Sequence, residues 1–178
     1  GWQASFFLTL AFALLALYMV YFDLGETTMH KQGCFREQVR GYPDLLTSRR
    51  FWGFTFTTAF SSGAFFAFLG GGSLVADRVF GLSPSQYGLY FMFISIGYLL
   101  GNFISGRFSE SFGVIRMMLS GSILAALGLS VAVIFSLAGI THPAAFFAMI
   151  FFVGLGNGMT LPSATAGVVS VRPKLAGS

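Results

Sequence analysis

The sequence predicts an all-α, polytopic membrane protein of five transmembrane helices, and three observations carry that prediction. Of the 178 residues 55% are hydrophobic and only 9% are charged, and the mean hydropathy is +0.78; soluble domains carry about 25% charged residues. Five apolar stretches each reach the roughly 20 residues that cross about 30 Å of hydrocarbon as a helix. The ten basic residues sit at the ends of those stretches, nine of them on one set of alternate connections.

The first unit, residues 1–23, holds an uncharged run with Trp2 at one end and Tyr18 and Tyr21 toward the other, where aromatic residues mark membrane interfaces. Its interior has almost no polar side chain, which suits a helix facing lipid. Residues 24–50 form the one long polar connection, punctuated by Gly25, Gly33, Gly41 and Pro43. Within it, residues 42–46 suit either a short helix lying on the membrane surface or an irregular connector. The remainder, 51–178, holds four more spans at about 51–76, 86–106, 117–137 and 144–171.

The second span carries Ala59, Gly63, Ala67 and Gly71 at four-residue spacing, a ridge of small residues suited to close helix packing. Beside it run Thr55, Thr58, Ser62 and Phe66. Hydroxyls in such a stripe either bond to a carbonyl of their own helix or face a cavity, and the spacing does not choose. The third span repeats the arrangement, with Gly97, Gly101 and Ser105 on one ridge and Ser95, Tyr98 and Asn102 beside it. The only polar side chains of the fourth are serines, so it resembles the first in role.

The fifth span is the most unusual, because an uncharged run contains Gly154, Gly156, Gly158 and Pro162. Pro162 has no N–H for the carbonyl of Gly158 and its ring crowds that carbonyl, which predicts a bend with a free acceptor. At 100° per residue Asn157, Thr160 and Ala164 fall together, and Gly154, Gly158, Pro162 and Thr165 lie about a third of a turn away. The polar stripe is expected to line a cavity and the small one to pack against a neighbour.

Composition also excludes. The net charge of +4 is not gathered into a basic patch with interleaved aromatics, so no nucleic-acid partner is expected. Cys34 is the single cysteine, which rules out an internal disulfide; no metal-ligand cluster or cofactor motif is present. An intramembrane enzyme would need a Ser–His pair or paired acids inside the bilayer, and none is found, so no catalytic residues are expected. Under the positive-inside rule the 24–50 connection is cytoplasmic, the chain starts outside and ends inside. Gly1 stands where an initiator Met would, and the expectation is a piece of a longer protein.

Leu24–Thr27 closing one span, Ser48–Gly53 opening the next and Ser62–Leu69 within it resemble the bicyclomycin and chloramphenicol resistance branch of the major facilitator superfamily. The likeness continues through Phe80–Pro84 and Gln86–Gly88 to the stretch from Gly154 to Ala166. It implies a twelve-helix transporter of two halves, of which these spans are the sixth to tenth. Residues 24–50 become the link between halves, and 51–178 an incomplete second half. The resemblance implies that the second, third and fifth spans line the central cavity and the first and fourth face lipid. It makes Gly106 and Arg107 a relic of the family's cytoplasmic gating motif, with glycine where an acid is usual. The expected function is export of small amphipathic drugs across the inner membrane, coupled to protons. The expected partners are lipid, substrate, the missing first half and the last two helices. A five-span structural or assembly protein is the competing expectation, disfavoured because polar stripes occur on three spans and not on the other two.

Overall fold

A computed structural model describes residues 2–23, 42–140 and 142–171. They form five long helices: α1 (Trp2–Asp23), α2 (Arg49–Arg78), α3 (Pro84–Phe112), α4 (Val114–Leu137) and α5 (Pro143–Val171). All five are long and apolar enough to cross a membrane. A helix satisfies its backbone polar groups internally, which lipid demands of any spanning segment. Most of the polar connection, with His30 and Cys34, and the basic residues Arg172 and Lys174 lie outside the described residues.

The chain divides into two units. In the first, α1 is a single apolar helix whose described side chains are exposed throughout, the surface a lipid-facing span presents. The second unit is a bundle of α2, α3, α4 and α5.

α5 is the centre of that bundle. Ten of its residues are buried, against three or four on each neighbour, and its glycines explain how three helices reach it. A Cβ at Gly154 would lie 2.5 Å from the carbonyl oxygen of Ile94, and one at Gly158 would strike that of Tyr98, both on α3. On another side Gly156 meets the Gly121 carbonyl and Ala125 of α4. Gly167 lies under the Phe54 ring of α2. Without side chains between them the backbones come into van der Waals contact, and such contact drives association where no hydrophobic effect operates.

Local chemistry fixes the ends. A helical turn at 42–46 leads to Ser48, which caps α2, its Oγ accepting from the Phe51 N–H at 3.4 Å. The Trp52 indole Nε1 donates back to the Leu46 carbonyl at 2.7 Å. Ser83 and Gln86 form a capping box on α3, with Pro84 at its start, where a missing N–H costs nothing. Only Gly113 separates α3 from α4, and its φ of +90° is one a side chain would resist.

The observed ends of α3 and α2 differ from those expected. α3 runs to Phe112 rather than ending near 106, so Gly106 and Arg107 sit inside a helix and not in a turn. No breaker occurs before Gly113, and nothing presses on Gly106 to stop the helix there. α2 likewise continues through Gly70, Gly71 and Gly72 to Arg78. α5 continues past Pro162 as one helix.

Candidate functional site

α2 and α3 meet through rings. Phe65 stacks on Tyr98 with centroids 6.4 Å apart, and Phe68 on Phe91 at 6.5 Å. Rings of that size hold the two backbones apart, unlike the glycine contacts of α3 with α5. Thr58 and Ser62 share the α2 flank with Phe65, while Ser95 and Asn102 share the α3 flank with Tyr98. The ring stack therefore brings the polar stripes of both helices to one side of the bundle.

On this flank three donors turn back onto their own helices. The Thr58 hydroxyl donates to the Phe54 carbonyl at 3.0 Å, that of Ser95 to Phe91 at 3.3 Å, and the Asn102 Nδ2 to Tyr98 at 2.8 Å. Each hydrogen bond closes within its own helix, so the hydroxyl oxygens and the Asn102 Oδ1 keep acceptor capacity. Thr55 Oγ1 is buried and has no partner among the described residues. Phe66 is 65% exposed at the edge. The arrangement offers an aromatic platform with a few acceptors, suited to an apolar ligand carrying a donor or two.

The structure places Asn157 and Thr160 elsewhere. Thr160 is fully buried in the α4–α5 seam, its Oγ1 3.3 Å from the Met118 carbonyl and 3.4 Å from the Ser122 hydroxyl. Asn157 is 3% exposed and its Nδ2 lacks a partner among the described residues. It borders a groove of about 380 Å³ between α2, α4 and α5, walled by Phe60, Ser61, Ala64 and Ser122. Thr57 and Ala64 on that groove each follow Thr55 and Ser62 by two residues, about 200° round the helix. Asn157 and the α2 hydroxyl stripe thus lie on opposite flanks.

Among the expected packing residues, Gly97, Gly101, Gly154 and Gly158 all sit in the α3–α5 seam. Gly63 faces open space instead, because α2 meets the bundle through Phe54, Phe68, Gly72 and Ala76 on its opposite side. Pro162 is half-buried within α5, and Arg107 is exposed. α4, expected to face lipid, does so on one side only. Its other side presses Gly121 and Gly128 onto α5. The spacing of Gly121, Ala125 and Gly128 is the sequence signal for that seam, a small-residue stripe like those on the other spans. Sequence reasoning also missed the buried hydrogen bond between Ser105 and Ser163, 3.0 Å across α3 and α5. Among the described residues no group of three His, Cys, Asp or Glu side chains comes together to hold a metal.

A bundle of long apolar helices seamed by glycine and flanked by polar stripes defines a multi-pass membrane protein. The family follows from comparison: the profile of the Major Facilitator Superfamily matches residues 1–177, and the chain belongs to that superfamily. It is 28% identical over 120 residues to a protein of Haemophilus influenzae named "Bicyclomycin resistance protein homolog", an alignment covering 66% of this chain and 30% of that one. It is 27% identical over 110 residues, 60% of this chain and 27% of the other, to "Uncharacterized MFS-type transporter YdgK" of Bacillus subtilis. The alignments therefore span less than a third of either relative's length. No solved structure matches the chain significantly.

Proposed function

We propose that this chain is part of a secondary transporter that exports small amphipathic compounds, of the chloramphenicol and bicyclomycin kind, across the cytoplasmic membrane. Transport proceeds by alternating access of two halves, in exchange for protons. The observation that carries the reading is the Phe65–Tyr98 stack bordered by Thr58, Ser62, Ser95 and Asn102. Rings accept varied apolar bodies, and a few acceptors orient them, which suits a binder of several compounds. The name of the Haemophilus relative supports drug export. No Asp or Glu lies within 51–76, 86–106, 117–137 or 144–171, so the proton-carrying acid belongs to helices outside these four.

A second location for the ligand is the groove between α2, α4 and α5, favoured by the unpartnered Nδ2 of Asn157. A ligand carbonyl there would satisfy a donor that otherwise costs about 1–3 kcal/mol to bury.

The transport reading is tested in inside-out membrane vesicles from cells making the intact transporter. Labelled chloramphenicol should accumulate inside when the lumen is acidified, and a protonophore should abolish the accumulation. Accumulation indifferent to the proton gradient would remove proton exchange from the proposal; no accumulation of chloramphenicol, bicyclomycin or related amphiphiles would remove export.

A further inference from the structure

A cavity of the bundle lies away from both flanks, at the end where α2 and α4 begin and α3 and α5 finish. It has a volume of about 700 Å³. Ser48, Arg50 and Arg116 form its polar wall, with Asp44 as the acid, and Phe54, Phe112 and Ile115 are among its apolar lining. Neither arginine has an ion-pair partner among the described residues, and both are exposed.

Charge decides what this cavity accepts. Two helix N-termini and two C-termini meet at this end, so their dipoles largely cancel. Two guanidiniums against one carboxylate then leave a net positive charge. α4 adds donors: the N–H groups of Val114, Ile115 and Arg116 have no intrahelical acceptor, no side chain caps them, and all three residues line the cavity. An anion with several oxygens fits such a wall. The phenylalanines and isoleucine beside it demand that the anion be attached to something apolar. Positive-inside topology puts this end at the cytoplasmic leaflet, where anionic lipids concentrate and basic pockets between helices bind their headgroups.

We propose that the cavity seats the phosphodiester of an anionic phospholipid. Arg50 and Arg116 hold the phosphate oxygens, the first turn of α4 supplies further N–H donors, and the acyl chains descend over Phe54 and Phe112. Bound there, one lipid ties the start of α2 to the start of α4. The site is independent of the drug-binding flank and stands or falls separately from it.

The test uses the intact transporter, purified in detergent and read by native mass spectrometry after addition of dioleoylphosphatidylglycerol, dioleoylphosphatidylcholine, glycerol phosphate or inorganic phosphate. Phosphatidylglycerol should be retained and phosphatidylcholine lost, and neither soluble phosphate should displace the lipid. Arg50→Gln and Arg116→Gln should each weaken retention about fivefold. Arg107→Gln, an exposed arginine on the same side but not on the cavity wall, should leave retention unchanged. The variants alter exposed side chains, and melting temperatures in phosphatidylcholine equal to the parent's establish that they fold. Equal weakening by all three variants would mean diffuse attraction to a basic surface and overturn the site. Retention of phosphatidylcholine to the same degree would do so too. Displacement of the lipid by glycerol phosphate or inorganic phosphate would reassign the cavity to a soluble phosphate compound.

Discussion

Glycine has opposite meanings at two places five residues apart on α3. At Gly101 an added Cβ would strike the Leu155 carbonyl and lie 2.9 Å from the Gly158 Cα, backbone that cannot yield without parting two helices. At Gly106 it would meet nothing within 4 Å. Gly101→Ala should therefore destabilise the protein by about 1–3 kcal/mol, as overpacking does. Gly106→Ala should be neutral or stabilising by up to about 1 kcal/mol, the helix propensity gained. Melting temperatures of the two variants of the intact transporter in detergent check the contrast; equal losses would mean that Gly106 also packs. In the sequence Gly101 belongs to the small-residue ridge with Gly97, whereas Gly106 falls at the expected end of the span. Periodicity separates a ridge from its surroundings, but which ridge meets a neighbour depends on three-dimensional arrangement. That is why Gly97, Gly101, Gly154 and Gly158 were legible as packing residues while Gly63, on an equally regular ridge, faces open space.

At the scale of the element, α5 was legible as the organising helix because its glycines and its lack of charge are rare together. Its polar face was less legible. Asn157 and Thr160 stand on one stripe of the wheel, yet the stripe meets α4 and the underside of α2. A wheel reports which residues share a face, not what the face touches. The serines were ambiguous for the same reason: Ser105 and Ser163 are 58 positions apart and pair only because α3 and α5 cross closely. Their hydrogen bond is fully buried, so it should show in a double-mutant cycle. Ser105→Ala and Ser163→Ala, alone and together, should give a coupling of about 0.6–1.7 kcal/mol, the range seen for hydrogen bonds between membrane helices. Additive losses would mean that each hydroxyl is satisfied by its own helix instead; Ser109 Oγ, 3.1 Å from Ser105, is the ready alternative.

For the whole molecule, orientation is the claim the sequence supports most directly. Nine basic residues on one side against Arg78 on the other predict that the connection holding Cys34 is cytoplasmic. A membrane-impermeant maleimide should label Cys34 in inside-out vesicles and spare it in intact cells; prompt labelling of intact cells would reverse the topology. Helix number, the charge-poor spans and the family were all readable, because lipid imposes length and apolarity on each span separately. The division of the polar residues between two flanks was not, since it depends on how α2 is turned about its axis, with Phe54, Gly72 and Ala76 buried against the bundle.

The central claim is that ligand binds on the α2–α3 flank, and one comparison in the intact transporter tests it most directly. Export of several unrelated amphiphiles is measured alongside membrane abundance for Tyr98→Ala and Asn102→Ala on that flank, and for Asn157→Ala and Ser122→Ala bordering the opposite groove. With abundance near normal, the first pair should change the ratio of compounds exported, by roughly tenfold for a ligand losing a stacking partner or a hydrogen bond worth about 1–1.5 kcal/mol. The second pair should leave the ratios as they were. Altered ratios in Asn157→Ala and Ser122→Ala, with Tyr98→Ala and Asn102→Ala unchanged, would contradict the account and move the ligand to the groove between α2, α4 and α5.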